Sequence, residues 1–182
     1  MPTSTYKTFV FIAKNLTGGG AEKVLLETAA LLQQRGHRVT VLTLGDDVEH
    51  GLPEHLRIVH TGSLNRLTKA LHRWPLVGRW QAARLHKHLH ALQADVVISC
   101  NAEYVSRYLS GPWRLYHWVH GVLSGSKQRV VAIARAVYAD ARLICVAEAI
   151  RQDIVDVMGI RPRQIEVIYN PFDANLIRTK AT

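Results

Sequence analysis

Thr8-Phe9-Val10-Phe11-Ile12-Ala13, then Gly18-Gly19-Gly20, then the periodic run from Ala21 to Gln34: this stretch decides the fold. A short apolar run rich in β-branched and aromatic residues reads as a buried strand. After the glycines, Val24, Leu25, Thr28, Ala29 and Leu32 recur at helical spacing, and Gly36 closes the helix as a C-terminal cap. Three glycines between strand and helix allow a sharp turn and leave room for another molecule against the backbone. The helix start points free N–H groups and the positive end of its dipole at that space. The junction therefore reads either as a place where a polar or anionic ligand meets backbone or as a tight turn needing its glycines for geometry alone. It is not a P-loop, because Gly18 to Val24 reads GGGAEKV and lacks the closing G-K-[ST]. The dinucleotide fingerprint G-x-G-x-x-G is also missing its third glycine. Glu22, in the first helical turn, suits the dipole but would repel a phosphate beside it.

Working outward, strand and helix alternate along the chain. Arg38 to Leu44 and Arg57 to His60 read as the second and third strands. Helices follow over Leu64 to Arg73 and Gly78 to Leu92, broken at Trp74-Pro75. Asp95 to Ser99 is a fourth strand and Ala102 to Leu109 a short helix. Arg114 to Val119 is a fifth strand, ending at His120-Gly121, and Gln128 to Tyr138 is helical. Arg142 to Val146 is a sixth strand, Ala147 to Met158 a helix stopped by Gly159, and Ile165 to Tyr169 a seventh strand before Asn170-Pro171. Strands joined by crossover helices predict an α/β, three-layer Rossmann-like domain with a mostly parallel sheet. Ligands of such sheets collect at the carboxyl ends of the strands, where the glycine turn, Asn101, His120 and Asn170 all fall.

Length and composition set the bounds. The 182 residues suit one domain with a sizeable core, and 48% apolar with 20% charged residues is ordinary globular composition. No apolar stretch approaches the ~20 residues of a membrane span, and residues 1–7 lack the layout of a secretion signal. Cys100 and Cys145 end strand-like runs and read as buried thiols, which suits a reducing, cytoplasmic compartment. The net charge is +9, and no acidic residue occurs from Leu56 to Ala94. Such a block faces water or something negative.

Three segments resemble glycosyltransferase family 4, the retaining enzymes of GT-B fold. They are LTGGGAEKVLLETAALLQQRGHRVTVLTL (residues 16–44), His117-Trp118-Val119-His120-Gly121, and ICVAEAIRQDIVDVMGIRPRQIEVIYNPFD (residues 144–173), in matching order and spacing. The resemblance implies a fold of two Rossmann-like domains facing a cleft. Residues 1–170 would be the N-terminal, acceptor-side domain, and residues 171–182 the interdomain linker and the start of a C-terminal donor-binding domain. That second domain carries most nucleotide-sugar contacts in the family, including an E-x7-E pair that these residues lack. The chain alone is therefore expected not to turn over.

The resemblance also implies roles. The backbone of Gly18, Gly19 and Gly20 would approach the donor or the acceptor when the cleft closes. His120 would stand beside the transferred sugar and act as the catalytic group, by hydrogen bonding a hydroxyl or stabilising charge on the leaving diphosphate. The other reading of His120 is a strand-end histidine bonded to a loop carbonyl. His117, on the opposite face, reads as structural. Asn101 reads as a turn residue or a cleft contact, Glu103 as a solvated helix-start acid or an acceptor contact, and Asn170 as a linker contact or a turn residue. Glu148 opens a helix where a dipole-complementing role suffices, and Ala147 stands where many relatives carry serine, so a capping hydroxyl is missing. The nucleotide sugar is a substrate, and neither cofactor nor metal is expected. His86 and His90 could share a metal, but no third ligand is indicated and a solvated basic face is favoured.

The basic stretch carries Arg66, Lys69, Arg73, Trp74, Arg79, Trp80, Arg84 and Lys87, with Leu85, Leu89 and Leu92 at helical spacing. Cationic amphipathic helices bind anionic membrane surfaces, so peripheral membrane association over Leu64 to Leu92 is one expectation and a soluble basic face the other. Three function classes follow. The first is the acceptor-side half of a transferase that moves sugar onto a saccharide or lipid-linked acceptor, with the C-terminal domain and an anionic membrane as partners. The second is a non-catalytic docking subunit that recruits a separate catalytic half. The third, a nucleic-acid binder, ranks last because no RRM, KH or helix-turn-helix signature accompanies the charge.

Overall fold

Alternate residues of the first strand go to opposite sides of one sheet, and that alternation builds the layers. In the computed structural model, which describes all residues except 1–5, 18, 49–50, 52, 54, 66–67, 69–73 and 172–182, β1 (Thr8–Ala13) is an interior strand of a seven-stranded sheet. Phe11 and Ala13 pack with Leu25, Leu26 and Ala29 of α1 (Gly20–Gln34) on one face. Val10 and Ile12 pack with Ala82, Leu85 and Leu89 of α2 (Pro75–Ala91) on the other. Period two in the strand and 3.6 in the helices thus gives a three-layer sandwich.

The remaining elements are β2 (Arg38–Thr43), β3 (Arg57–His60), β4 (Val96–Cys100), the single turn α3 (Glu103–Ser106), β5 (Arg114–Val119), α4 (Gln128–Tyr138), β6 (Arg142–Cys145), α5 (Glu148–Gln152) and β7 (Gln164–Val167). The order is β3-β2-β1-β4-β5-β6-β7 and every described pairing is parallel, so the sheet is wholly rather than mostly parallel. Phe11 is in register with Val41 on one side and Ile98 on the other. The order reverses between β1 and β4. In open α/β sheets the ligand crevice lies at that switch point, beyond the carboxyl ends of the strands.

Several local expectations shift. α2 begins at Pro75, which serves the first helical turn because its missing N–H has no partner there in any case. The helix expected from Leu64 to Arg73 falls largely outside the described residues. The helix expected from Ala147 to Met158 is α5 followed by a π-turn over Asp153–Val157, ended by Gly159 at φ +66°. Gly36, at φ +88°, caps α1 as expected, and a Cβ there would meet the Tyr6 ring.

Candidate active site

The turn between β1 and α1 stands at the switch point. Gly19 is the N-cap of α1 in an extended conformation, and Gly18 lies outside the described residues. The Glu22 side chain folds back over the turn, so that a Cβ added at Gly19 would overlap its carboxylate. Gly20 has open space around its Cα. Across the switch point, Asn101 follows β4 at φ +53°, the left-handed region that asparagine tolerates in turns. Its Nδ2 donates to Glu22 Oε1 at 3.4 Å. The anion-friendly helix start is thus already covered by a carboxylate, which ties the lip after β1 to the lip after β4.

Beside this bridge lies a pocket of about 210 Å³, lined by Asn101, Glu103, Tyr104, Trp118, His120 and Tyr138, with apolar side chains of α4 completing it. That is below the ~300–1,000 Å³ typical of sites that enclose drug-sized ligands, so it suits one small ring. His120 follows β5 and its ring sits 4.5 Å from that of Trp118. Its Nε2 is buried with no partner among the described residues, and the Trp118 indole nitrogen is in the same condition. No carbonyl holds His120 by that nitrogen. Burial lowers the His120 pKa, with Glu22 acting in the opposite direction. A half-buried imidazole with an unmatched nitrogen at a pocket wall is equipped to hydrogen-bond a ligand.

Glu103 corrects the expectation of a solvated acid. It is half-buried, its Oε1 accepts a bond from the Tyr138 hydroxyl at 3.1 Å, and burial raises its pKa despite that bond. Burial, aided by Glu103, also lifts Tyr138 well above and Tyr104 to about 12, so both phenols stay protonated. Cys100 is buried at the end of β4, and burial together with the Glu22 and Glu103 carboxylates pushes its thiol up. Cys145 is raised to about 11 by burial. Both are free thiols with no thiolate character, as the sequence implied.

The other singled-out residues divide clearly. Asn170 follows β7 on the same sheet edge but does not line this pocket; its Oδ1 is buried without a partner among the described residues. His117 is 3% exposed, ends a buried chain from Ser99 Oγ to Ser106 Oγ (2.9 Å) to its own Nδ1 (3.4 Å), and is lowered to about 4 by burial. It is structural. Glu148 is paired with Arg151, whose Nε donates to it at 2.6 Å, and Ala147 offers no capping side chain. His90 is exposed and His86 half-buried, in keeping with a solvated face, and both rings also pack edge-on against Trp113, at 5.1 and 5.2 Å. Among the described residues no three His, Cys, Asp or Glu side chains assemble a metal site.

The basic segment also splits. Leu85 and Leu89 are fully buried against the sheet, so the apolar face of α2 is turned inward rather than toward a membrane. Trp74, Leu76 and Trp80 are exposed instead, at 61%, 73% and 44%. Arg79, Arg84 and Lys87 are exposed, and Arg84 also lies over the Trp80 ring and donates to Thr61 O at 2.9 Å. Arg66, Lys69 and Arg73 lie outside the described residues.

Residues that sequence reasoning passed over also shape the site. Asp153, in the π-turn, is 5% exposed and accepts the backbone N–H of Leu123 (2.8 Å) and of Ser124 (3.1 Å), pinning the loop that follows His120. Tyr138 and Trp118 carry no site signal of their own in the sequence, and only their neighbours reveal the pocket.

A parallel sheet in this strand order, with a largely apolar pocket at its carboxyl edge, defines a Rossmann-like domain. The glycosyltransferase family 4 model matches residues 18–176, most of the chain, and the chain belongs to that family. It is similar in fold to a glycosyltransferase from Rickettsia africae ESF-5 (TM-score 0.65, 14% identity, 97% of this chain against 49% of that one). It is likewise similar to a sucrose-phosphate synthase from Thermosynechococcus elongatus (TM-score 0.69, 12% identity, 93% against 49%). WaaG, a glycosyltransferase involved in lipopolysaccharide biosynthesis, is a third (TM-score 0.60, 16% identity, 95% against 51%). At these identities the likeness concerns the fold, which is that of one half of a GT-B protein. The chain spans about half the length of these structures. No curated protein matches it in sequence.

Proposed function

We propose that the chain is the acceptor-side half of a retaining glycosyltransferase that moves a sugar from a nucleotide-sugar donor to a saccharide or lipid-linked acceptor, in the synthesis of cell-surface polysaccharide or lipopolysaccharide. The observation that carries this reading is His120, with its unpartnered nitrogen, lining a pocket beside the switch point opposite the glycine turn. In this reading residues 1–170 form one lip of a cleft, residues 171–182 are the linker and the start of a C-terminal domain, and that domain supplies the donor contacts. His120 hydrogen-bonds the transferred sugar, and the leaving phosphate helps to deprotonate the acceptor. No metal is assigned a part.

The test is transfer by the whole gene product, followed as nucleoside diphosphate release from a panel of nucleotide sugars with saccharide and glycolipid acceptors. Turnover with retained anomeric configuration is expected, and none from residues 1–182 alone. His120→Ala should lower kcat by about a hundredfold or more, the scale of losing one preorganised hydrogen bond to developing charge, with an unchanged melting temperature. Inversion, or full activity in that variant, would overturn the assignment.

The exposed Trp74, Leu76 and Trp80 beside Arg79 and Lys87 favour peripheral contact with the inner face of a membrane. Among the described residues no helix is long and apolar enough to cross one. A non-catalytic docking subunit is the second reading, and it predicts vesicle binding without any transfer by the whole gene product.

A further inference from the structure

The pocket beside His120 has a charge opposite to that of the molecule around it. The chain carries a net charge of +9, yet among the described residues no Lys or Arg lines this pocket. Its one acidic lining residue, Glu103, is half-buried and held by Tyr138 at 3.1 Å. A second carboxylate, Glu22, reaches the rim through Asn101 at 3.4 Å and acts electrostatically on both His120 and Cys100. Trp118, 5% exposed, lines the pocket with an indole nitrogen that lacks a partner among the described residues, and His120 brings a second unmatched ring nitrogen. Aromatic walls suit the C–H faces of a sugar ring, and the unmatched Trp118 nitrogen suits one of its hydroxyls, which leaves His120 at the pocket wall for the transferred sugar.

We propose that this pocket is the acceptor-sugar subsite and that Glu103, with Glu22 at the rim, makes it select an amine-bearing ring first, a neutral ring second, and exclude a ring carrying phosphate or carboxylate. The proposal rests on the transferase reading above and adds the charge class of the acceptor. The physics is that of like and unlike charges at close range. An ammonium beside a carboxylate poorly solvated by water recovers part of the lost solvation, and an anion meets two carboxylates with no cation to offset them. A site can reject a competitor by such unpaired charge as effectively as it attracts the correct ligand. The basic surface of the rest of the chain would draw anions to the domain, so the pocket itself must do the discriminating.

Saturation-transfer NMR on the 182-residue chain tests this directly. The probes are methyl glycosides of the gluco, galacto and manno series, each in neutral, 2-amino and 6-carboxylate form, with hexose 6-phosphates added. At neutral pH and low salt, the order amine, neutral, anion is expected within at least one series, with roughly tenfold between amine and anion. Glu103→Gln should bring that spread to about twofold while neutral binding persists. Glu27→Gln, which removes the same charge from a half-exposed side chain paired with Lys23 away from the pocket, should leave the order intact. Anions binding as well as neutral rings would overturn the charge selection and leave the transferase reading standing. Binding by none of the sugars would overturn the subsite, and transfer by the whole gene product then decides the wider reading separately. The wild-type order alone can sink the proposal, whether or not Glu103→Gln folds.

Discussion

Glu103 holds a position that costs stability. Its raised pKa means the folded state penalises the ionised carboxylate relative to the unfolded chain. Above the folded pKa that penalty is present in full; below the ordinary value of 4.5 both states are protonated and it vanishes. Glu103→Gln is therefore expected to raise the melting temperature at pH 7 and to lose that gain as the pH falls toward 4, which thermal denaturation at the two pH values checks. A stabilising substitution that impairs sugar binding is the pattern of a functional group held at a stability cost. His117 shows the opposite arrangement. Lowered from 6.5 to about 4, it is neutral in the fold, so the unfolded chain takes up more protons between those values. Its contribution is complete above pH 6.5 and is lost as the pH drops to about 4, an amount of roughly 3 kcal/mol at about 1.4 kcal/mol per pH unit. His117→Gln should flatten that part of the acid-denaturation profile; an unchanged profile would refute the assignment. The difference between His117 and His120 was legible in the sequence as strand parity. Glu103's enclosure was not, because it depends on Tyr138, 35 positions away.

At the scale of elements, the π-turn after α5 matters most. One extra residue in a helical turn displaces the side chains that follow, and such turns gather at functional sites. Here the turn presents Asp153 to the loop after His120, where the carboxylate takes two backbone N–H groups. Asp153→Asn keeps the shape but swaps charge-assisted bonds for weaker ones, so a loss of about 1–2 kcal/mol is expected in urea denaturation. A larger fractional loss in sugar binding than in stability would mark the loop as a positioning element; equal stability in the variant would remove Asp153 from that role. The sequence read residues 147–158 as one plain helix, since apolar periodicity does not register a single inserted residue. In α2 the helix itself was legible but the use of its apolar face was not. Leu85 and Leu89 recur at helical spacing whether the face meets a sheet or a lipid surface, and only packing against Val10, Ile12 and Val97 decides for the sheet.

Across the whole molecule, basic charge and exposed indoles sit on α2, while the acidic pocket sits at the carboxyl edge of the sheet. This division allows one surface to attract an anionic membrane while another admits a ring that is not anionic. Binding to vesicles with anionic lipid is expected to exceed binding to neutral vesicles by at least about tenfold, on the scale of ~1 kcal/mol per basic residue near the surface. Trp74→Ala with Trp80→Ala should weaken it further than Arg84→Ala, because Arg84 is already engaged with Thr61. Co-sedimentation checks both, and equal binding to the two vesicle types would refute the membrane reading. The sequence by itself determined the layered, parallel α/β architecture, because strand and helix periods, glycine turns and crossover order are local or nearly local properties of the chain. It also placed the glycine turn, Asn101, His120 and Asn170 at one sheet edge. Tertiary structure alone decided that Gly19 is covered by Glu22's carboxylate, and that His120, Glu103 and Tyr138 line one pocket. The reason is physical: desolvation and side-chain pairing depend on which distant segments meet, and neither periodicity nor composition encodes those distances.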